Sequence, residues 1–152
     1  MQANQSQIIT ITEGTTKILI PRGAIEEKVP PRDIAFFNQR AKLSRDFSIV
    51  AYSAFFKEFE APKIFLDGMS GLGVRGLRVA NEIKDVQVFV NDANPKALEL
   101  SRESAELNGL KNYQISENEI CRFCMDCSMT HAKKSTMEYQ SKPHIATKLR
   151  QG

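Results

Sequence analysis

Isoleucine and threonine take turns along IITITEGTTKILIP, from Ile8, and Ile18-Leu19-Ile20 then runs into Pro21. A period of two, broken at Glu13-Gly14, predicts two short strands around a turn. The charged, proline-rich EEKVPPRD that follows reads as a connector. In AFFNQRAKLSRDFSIVAYSAFFKEF the period lengthens. Leu43, Phe47, Val50 and Ala54 share one helical face with Phe55 beside them, and Ser44 is placed to cap the helix start. Pro62 ends that pattern.

The next segments alternate in type. KIFLD has the length and apolarity of a strand, and Gly68 to Gly73 form a loop. Val74 to Lys84 reads as a helix with Val74, Leu77, Ala80 and Ile83 facing inward. VQVFVND is a second strand ending on Asp92, rich in β-branched and aromatic residues. Asn94-Pro95 opens a helix through Ala97, Leu98, Ala105 and Leu107, because proline fits a first turn; Asn108-Gly109 ends it. YQIS is a third strand. Strand, helix, strand, helix, strand at this spacing predicts an α/β fold with a parallel sheet, whose ligands bind at the carboxyl ends of the strands. Three segments follow: a hairpin and linker over 1–34, an α/β domain over 35–120, and a tail over 121–152. The tail has no sustained period, and a helix through Arg122 to Met129 is its one candidate element.

The net charge of +3 suggests nucleic acid until it is divided. Before residue 121 the chain carries 15 Lys and Arg against 16 Asp and Glu; after it, six against two. The basic excess therefore belongs to the tail, and charge alone makes no argument for RNA in the main body. The 41% apolar and 26% charged residues are ordinary for a globular domain. No run is long enough to span a membrane, and MQANQSQIITITEG has no basic start before an apolar core, so a cytoplasmic protein is expected. Cys121, Cys124 and Cys127 form a C-x2-C-x2-C run with His131 as the nearest fourth ligand. In a cytosolic chain these read as free thiols, with no metal expected.

The chemistry lies in FLDGMSGLGVRG. Gly71, Gly73 and Gly76 spell G-x-G-x-x-G, where glycine turns the backbone and lets a ligand approach with no Cβ in the way. Asp92, 21 residues after Gly71, is placed for two ribose hydroxyls. This much fits a nicotinamide dinucleotide enzyme. Asp67 separates the readings. At the strand end it repels a pyrophosphate but attracts the ammonium of a methionine-derived sulfonium ligand, S-adenosyl-L-methionine, whose carboxylate Arg75 and Arg45 are placed to meet. The plainer alternatives are a helix N-terminal acid for Asp67 and a solvated strand end for Asp92.

The array of Asp67, glycine loop and Asp92 resembles a Rossmann-like class I methyltransferase. Three further stretches resemble one family, the archaeal-type tRNA guanine-N2 dimethyltransferases that modify guanine 26. EGTTKILIP resembles its opening hairpin. FFNQRAKLSRD resembles its F-Y-N-P-R-M-x-L-N-R-D segment, with Phe37, Asn38, Arg40, Leu43, Arg45 and Asp46 in register. LDGMSGLGVRGLRVA resembles L-D-A-L-S-A-T-G-I-R-G-I-R, matching at Leu66, Asp67, Ser70, Gly73, Arg75, Gly76 and Arg78. VNDANPKALEL and the later LNG continue the match, which covers about residues 8–120 and leaves the tail without family likeness. The resemblance implies S-adenosyl-L-methionine as cofactor and tRNA as substrate. It implies Arg45 and Arg75 at the cofactor's methionine end, with Asp67, Ser70, Gly71 and Gly73 around it, and Asp92 at its ribose. Glu119 then stands for a second acid and Ile120 for an alanine at the adenine.

The chain also departs from the family. Gln39 replaces a proline and Ser44 an asparagine. The fourth-strand D-P-F-G type motif, which holds the guanine amino group, occurs nowhere between Cys121 and Gly152, and neither the later strands nor the C-terminal RNA-binding domain is visible. A truncated or frame-shifted product is expected to look like this, with weak or no methyl transfer of its own. Two other classes compete: an NAD(P)-dependent oxidoreductase, and a non-catalytic remnant that binds cofactor, or binds RNA through the basic tail. Phe36-Phe37 fits either base stacking or a core, and adjacent aromatics favour the core.

Overall fold

The computed structural model describes residues 7–26, 35–58, 60 and 62–120. The cysteine run, His131 and the candidate helix at 122–129 lie outside them. Met1–Ile120 form one compact unit. Strands β1 (Ile8–Glu13) and β2 (Thr16–Pro21) pair antiparallel around Gly14, which takes φ +58°. A Cβ there would also meet the Glu82 carboxylate, so the turn is glycine both for its backbone and for its neighbour. A short helix α1 (Gly23–Glu26) follows, which the alternating pattern does not announce.

Helix α2 (Lys42–Lys57) differs from expectation in two ways. Asn38, not Ser44, caps its approach: the Asn38 side chain accepts from Arg40 N at the head of a 3-10 turn, Gln39–Ala41, that leads into the helix. Ser44 lies inside the helix, where its carbonyl accepts from the Ser48 hydroxyl. The inward face is also a different one. Leu43, Phe47 and Val50 are 67, 69 and 68% exposed, while Arg45 and Phe56 are buried and Ile49 and Tyr52 pack beside them. Both stripes have helical spacing, and the one that wins carries a charge that is neutralised in place. Period alone cannot see that.

Strands β3 (Lys63–Asp67), β4 (Val86–Asp92) and β5 (Tyr113–Glu117) form a parallel sheet in the order β3-β4-β5. Helices α3 (Val74–Glu82) and α4 (Pro95–Leu107) connect them. Asn94 caps α4 by accepting from Lys96 N and Ala97 N, with Pro95 in the first turn. At its end Gly109 takes φ +65° and Leu110 N returns to Ala105 O. Of the apolar residues along α4, Ala97, Leu98 and Ala105 are buried and Leu107 is 46% exposed.

Two apolar clusters hold these layers together. Val79, Ala80, Ile83, Val86, Val88, Val90 and Phe56 join α2 and α3 to the sheet, with Tyr52 meeting Phe65 edge-on at 5.0 Å. Ile18, Ile20, Phe37, Leu72, Leu77 and Leu100 join the hairpin to α3, α4 and the glycine loop. Phe37 is core and Phe36 is exposed, so the pair divides between the two readings. No helix among the described residues is long and apolar enough to cross a membrane. Among the described residues strand β3 is an edge of the sheet, and Ile64 and Leu66 on it are exposed.

Between hairpin and helices lies a buried ionic network. Arg45 places Nε and Nη2 on the Glu13 carboxylate at 2.8 and 2.5 Å and Nη1 on the Asn38 carbonyl at 3.1 Å, 5.1 Å over the Phe37 ring. Arg78 bonds Asp46 at 2.5 Å and both Glu82 oxygens at 3.0 and 3.1 Å; Glu82 in turn accepts from the Thr16 hydroxyl. Burial works against the Arg78 charge, but these hydrogen bonds outweigh it and raise the pKa of the guanidinium.

Candidate functional site

The carboxyl ends of the three strands converge on the glycine loop. Asp67 closes β3, and after Gly68 and Met69 the loop is tied to the neighbouring strand: Ser70 N donates to Asn91 O at 3.0 Å, and Gly71 N to Asp92 Oδ2 at 2.6 Å. Asp92 Oδ1 accepts from Asn94 N at 2.9 Å. Its carboxylate therefore joins the start of one helix to the loop before another. It is more than a solvated strand end.

The three fingerprint glycines do different work. A Cβ on Gly73, at φ +68°, would collide with the Ser101 and Tyr113 hydroxyls, and one on Gly76 would stand 2.6 Å from Val90. Both seat α3 against the sheet and α4. Gly71, at φ +53°, has nothing within 4 Å of its missing Cβ. Of the three, Gly71 alone faces open space. Gly73→Ala is therefore expected to lower stability by about 2–5 kcal/mol, from strain plus overpacking. Gly71→Ala costs about 1–2 kcal/mol of backbone strain and puts a methyl group into the ligand's space. Urea unfolding beside ligand titration separates the two: Gly73→Ala moves the unfolding midpoint most, Gly71→Ala the affinity.

Two polar atoms, one in the loop and one in the first turn of α3, lack hydrogen-bond partners. Ser70 Oγ and Arg75 Nε are buried without a hydrogen bond. Asp67 has its carboxyl pushed above the ordinary range, first by burial and then by the Asp92 charge, with Arg75 pulling it down. A buried acid facing a guanidinium, with an unbonded hydroxyl in the same loop, suits a ligand that brings both an ammonium and a carboxylate. A diphosphate supplies only negative charge. The adenosylmethionine donor set thus fits these residues.

Among the predicted site residues, Asp67, Ser70, Gly71, Gly73, Arg75 and Asp92 come together here. Ile120 reaches the same place: its Cδ1 stands 2.5 Å from where a Cβ on Gly68 would lie. Glu119 beside it is exposed. Arg45 stands apart, its guanidinium engaged by Glu13 and Asn38. Sequence reasoning missed Asn91, which is fully buried and spans all three strand ends. It also missed Tyr113, whose hydroxyl meets Ser101 at 2.7 Å behind Gly73 and whose pKa burial raises. A polar residue in a strand gives no signal that it is buried. A surface hollow by Lys63, Asp85, Val86 and Asn112 lies at the opposite, amino ends of the strands.

Comparison with known proteins agrees with the fold. The chain is 37% identical over 112 residues to the tRNA (guanine(26)-N(2))-dimethyltransferase of Methanococcus aeolicus, covering 69% of this chain and 29% of that protein. It is 36% identical over 121 residues to the Methanobrevibacter smithii enzyme of the same name, covering 79% and 30%. The chain thus spans less than a third of the length of the curated relatives it matches. Among solved structures, Trm1 from Pyrococcus horikoshii with S-adenosyl-L-methionine superimposes with a TM-score of 0.58 at 28% identity, over 76% of this chain and 32% of that one. A SAM-dependent methyltransferase from Agrobacterium tumefaciens shares the fold, with a TM-score of 0.59 at 17% identity over 82% and 36%. The family's sequence model matches residues 14–141 and so continues past Ile120, correcting the expectation that likeness stops there. On these matches, the chain belongs to the N2,N2-dimethylguanosine tRNA methyltransferase family.

Proposed function

We propose that this chain binds S-adenosyl-L-methionine as the donor site of a tRNA guanine-26 N2-methyltransferase. The observation that carries the reading is the open space over Gly71 at the ends of the strands that carry Asp67, whose carboxyl burial raises, and Asp92, which accepts from Gly71 N. Asp67 takes the ligand's ammonium, and Arg75 and Ser70 its carboxylate. Gly71 lets the chain pass beneath the sulfur. Asp92, whose two oxygens already hold Gly71 N and Asn94 N, has lone pairs left for the ribose hydroxyls. Ile120 and Glu119 stand at the adenine. Arg45, held by Glu13 and stacked over Phe37 in the cluster that contains Leu72, supports the loop from behind and turns to the carboxylate only by leaving Glu13. When bound, the cofactor supplies an activated methyl group on a sulfonium leaving group. The chain's own part is to hold and align that donor.

The acceptor is an exocyclic amine whose lone pair is delocalised into the purine, so transfer needs a hydrogen-bond acceptor to localise it and take its proton. No D-P-F-G type sequence for that task occurs in the 152 residues. The chain is therefore expected to retain labelled S-adenosylmethionine in equilibrium dialysis while forming no dimethylguanosine on unmodified tRNA. Loss of retention overturns the donor-site reading; robust transfer overturns the assignment of donor binding alone.

A further inference from the structure

Asn91 lies in the matched VNDANPKALEL stretch with no role implied for it, yet none of its surface is exposed. Its Nδ2 donates to the carbonyls of Gly68 at 3.1 Å and Asn118 at 2.9 Å; its Oδ1 accepts from Ser116 Oγ at 2.9 Å. Its backbone carbonyl accepts from Ser70 N at 3.0 Å. One residue of the central strand thus grips the loop that leaves β3 and the segment that leaves β5. We infer that Asn91 is a positioning residue that sets the span between the two ends of the cofactor site, Ser70–Arg75 on one side and Glu119–Ile120 on the other. The inference rests on the donor-site reading above.

A primary amide suits this task because it offers two donors and an acceptor in one plane. Aspartate would turn a carboxylate toward two carbonyls, and alanine would remove the side-chain bonds to both segments at once while keeping the backbone bond to Ser70 N. The span has little slack: Ile120 already occupies the space a Cβ on Gly68 would need. A ligand with two anchored ends gains affinity only when both ends engage together, so a change in span weakens the whole ligand far more than either half.

The test is calorimetric titration of the full chain with S-adenosylhomocysteine and with 5′-methylthioadenosine, which keeps the nucleoside and lacks the amino-acid end. Amide chemical shifts of the ligand-free protein are recorded alongside. Asn91→Ala is expected to weaken S-adenosylhomocysteine about tenfold or more and methylthioadenosine less than about threefold. The amides of Ser70–Gly71 and of Glu119–Ile120 both shift. Ser116→Ala, which removes a single partner, gives the same pattern at smaller size and carries the test if Asn91→Ala does not fold. Equal losses for the two ligands, or no loss for either, overturn the inference. Should the parent chain bind neither ligand, the donor-site reading itself fails. The amide shifts then decide the role of Asn91 alone: movement in both segments supports it, and movement in one or none overturns it.

Discussion

Glu13→Ala is expected to lower the unfolding free energy by about 3–5 kcal/mol, a large part of what a domain of this size has. The reason is the partner left behind. Arg45 is 7% exposed and makes its bidentate bond to Glu13; without it a guanidinium stays buried with only the Asn38 carbonyl and the face of Phe37. Arg78, 3.7 Å from Glu13, suffers less because Asp46 and Glu82 remain. Replacing both partners with apolar residues, Glu13→Leu with Arg45→Met, is expected to recover most of the loss, since desolvating two charges offsets much of their attraction. Urea unfolding followed by circular dichroism measures both. Equal stability of Glu13→Ala and the parent would show that the pair contributes nothing. Asp46 adds an acid-sensitive part: hydrogen bonds from Lys42 and Arg78 hold its carboxyl below the usual range. The stability it contributes is present above the ordinary carboxylate pKa and is lost as pH falls through the lowered one.

Asp67→Asn is expected to act in opposite directions on stability and binding. In the free protein, burial raises the Asp67 carboxyl, so the folded state prefers it neutral and loses stability as pH rises through that raised value. Near neutrality the amide therefore unfolds at a higher temperature than the parent. For the ligand the sign reverses, because the carboxylate is what attracts the ammonium. The variant is expected to lose on the order of 10- to 100-fold in affinity for S-adenosylhomocysteine. Parent affinity falls as pH drops through the raised pKa of Asp67, while the variant's profile across that window is flat. Melting curves and titrations over pH check both signs. A variant that is less stable and binds as well as the parent would remove Asp67 from the ligand site.

Much of this arrangement was legible in the chain. The strands, α3, α4 and the strand-end acids follow from apolar period, proline and glycine placement, because there local geometry and burial agree. The errors fall where they disagree. Helix α2 carries two apolar stripes, and the inward one is chosen by Arg45 reaching a glutamate 32 residues away, a pairing that no local period encodes. Glu13 reads only as a turn residue, and its burial, to 3% exposed, comes from the hairpin tip packing against α3. The glycines were legible as a group but not individually: only the contacts show that Gly73 and Gly76 serve packing and that Gly71 faces open space. Asn91 was hidden because a strand asparagine looks alike whether it meets water or three strand ends.

The loop after β3 is expected to accept a positively charged sulfur nucleoside and to reject a dinucleotide. Parallel calorimetric titrations of the chain with S-adenosylhomocysteine and with NADH distinguish the two. Saturable binding of the first and no measurable heat with the second is the expected result; NADH binding with no response to S-adenosylhomocysteine would contradict it.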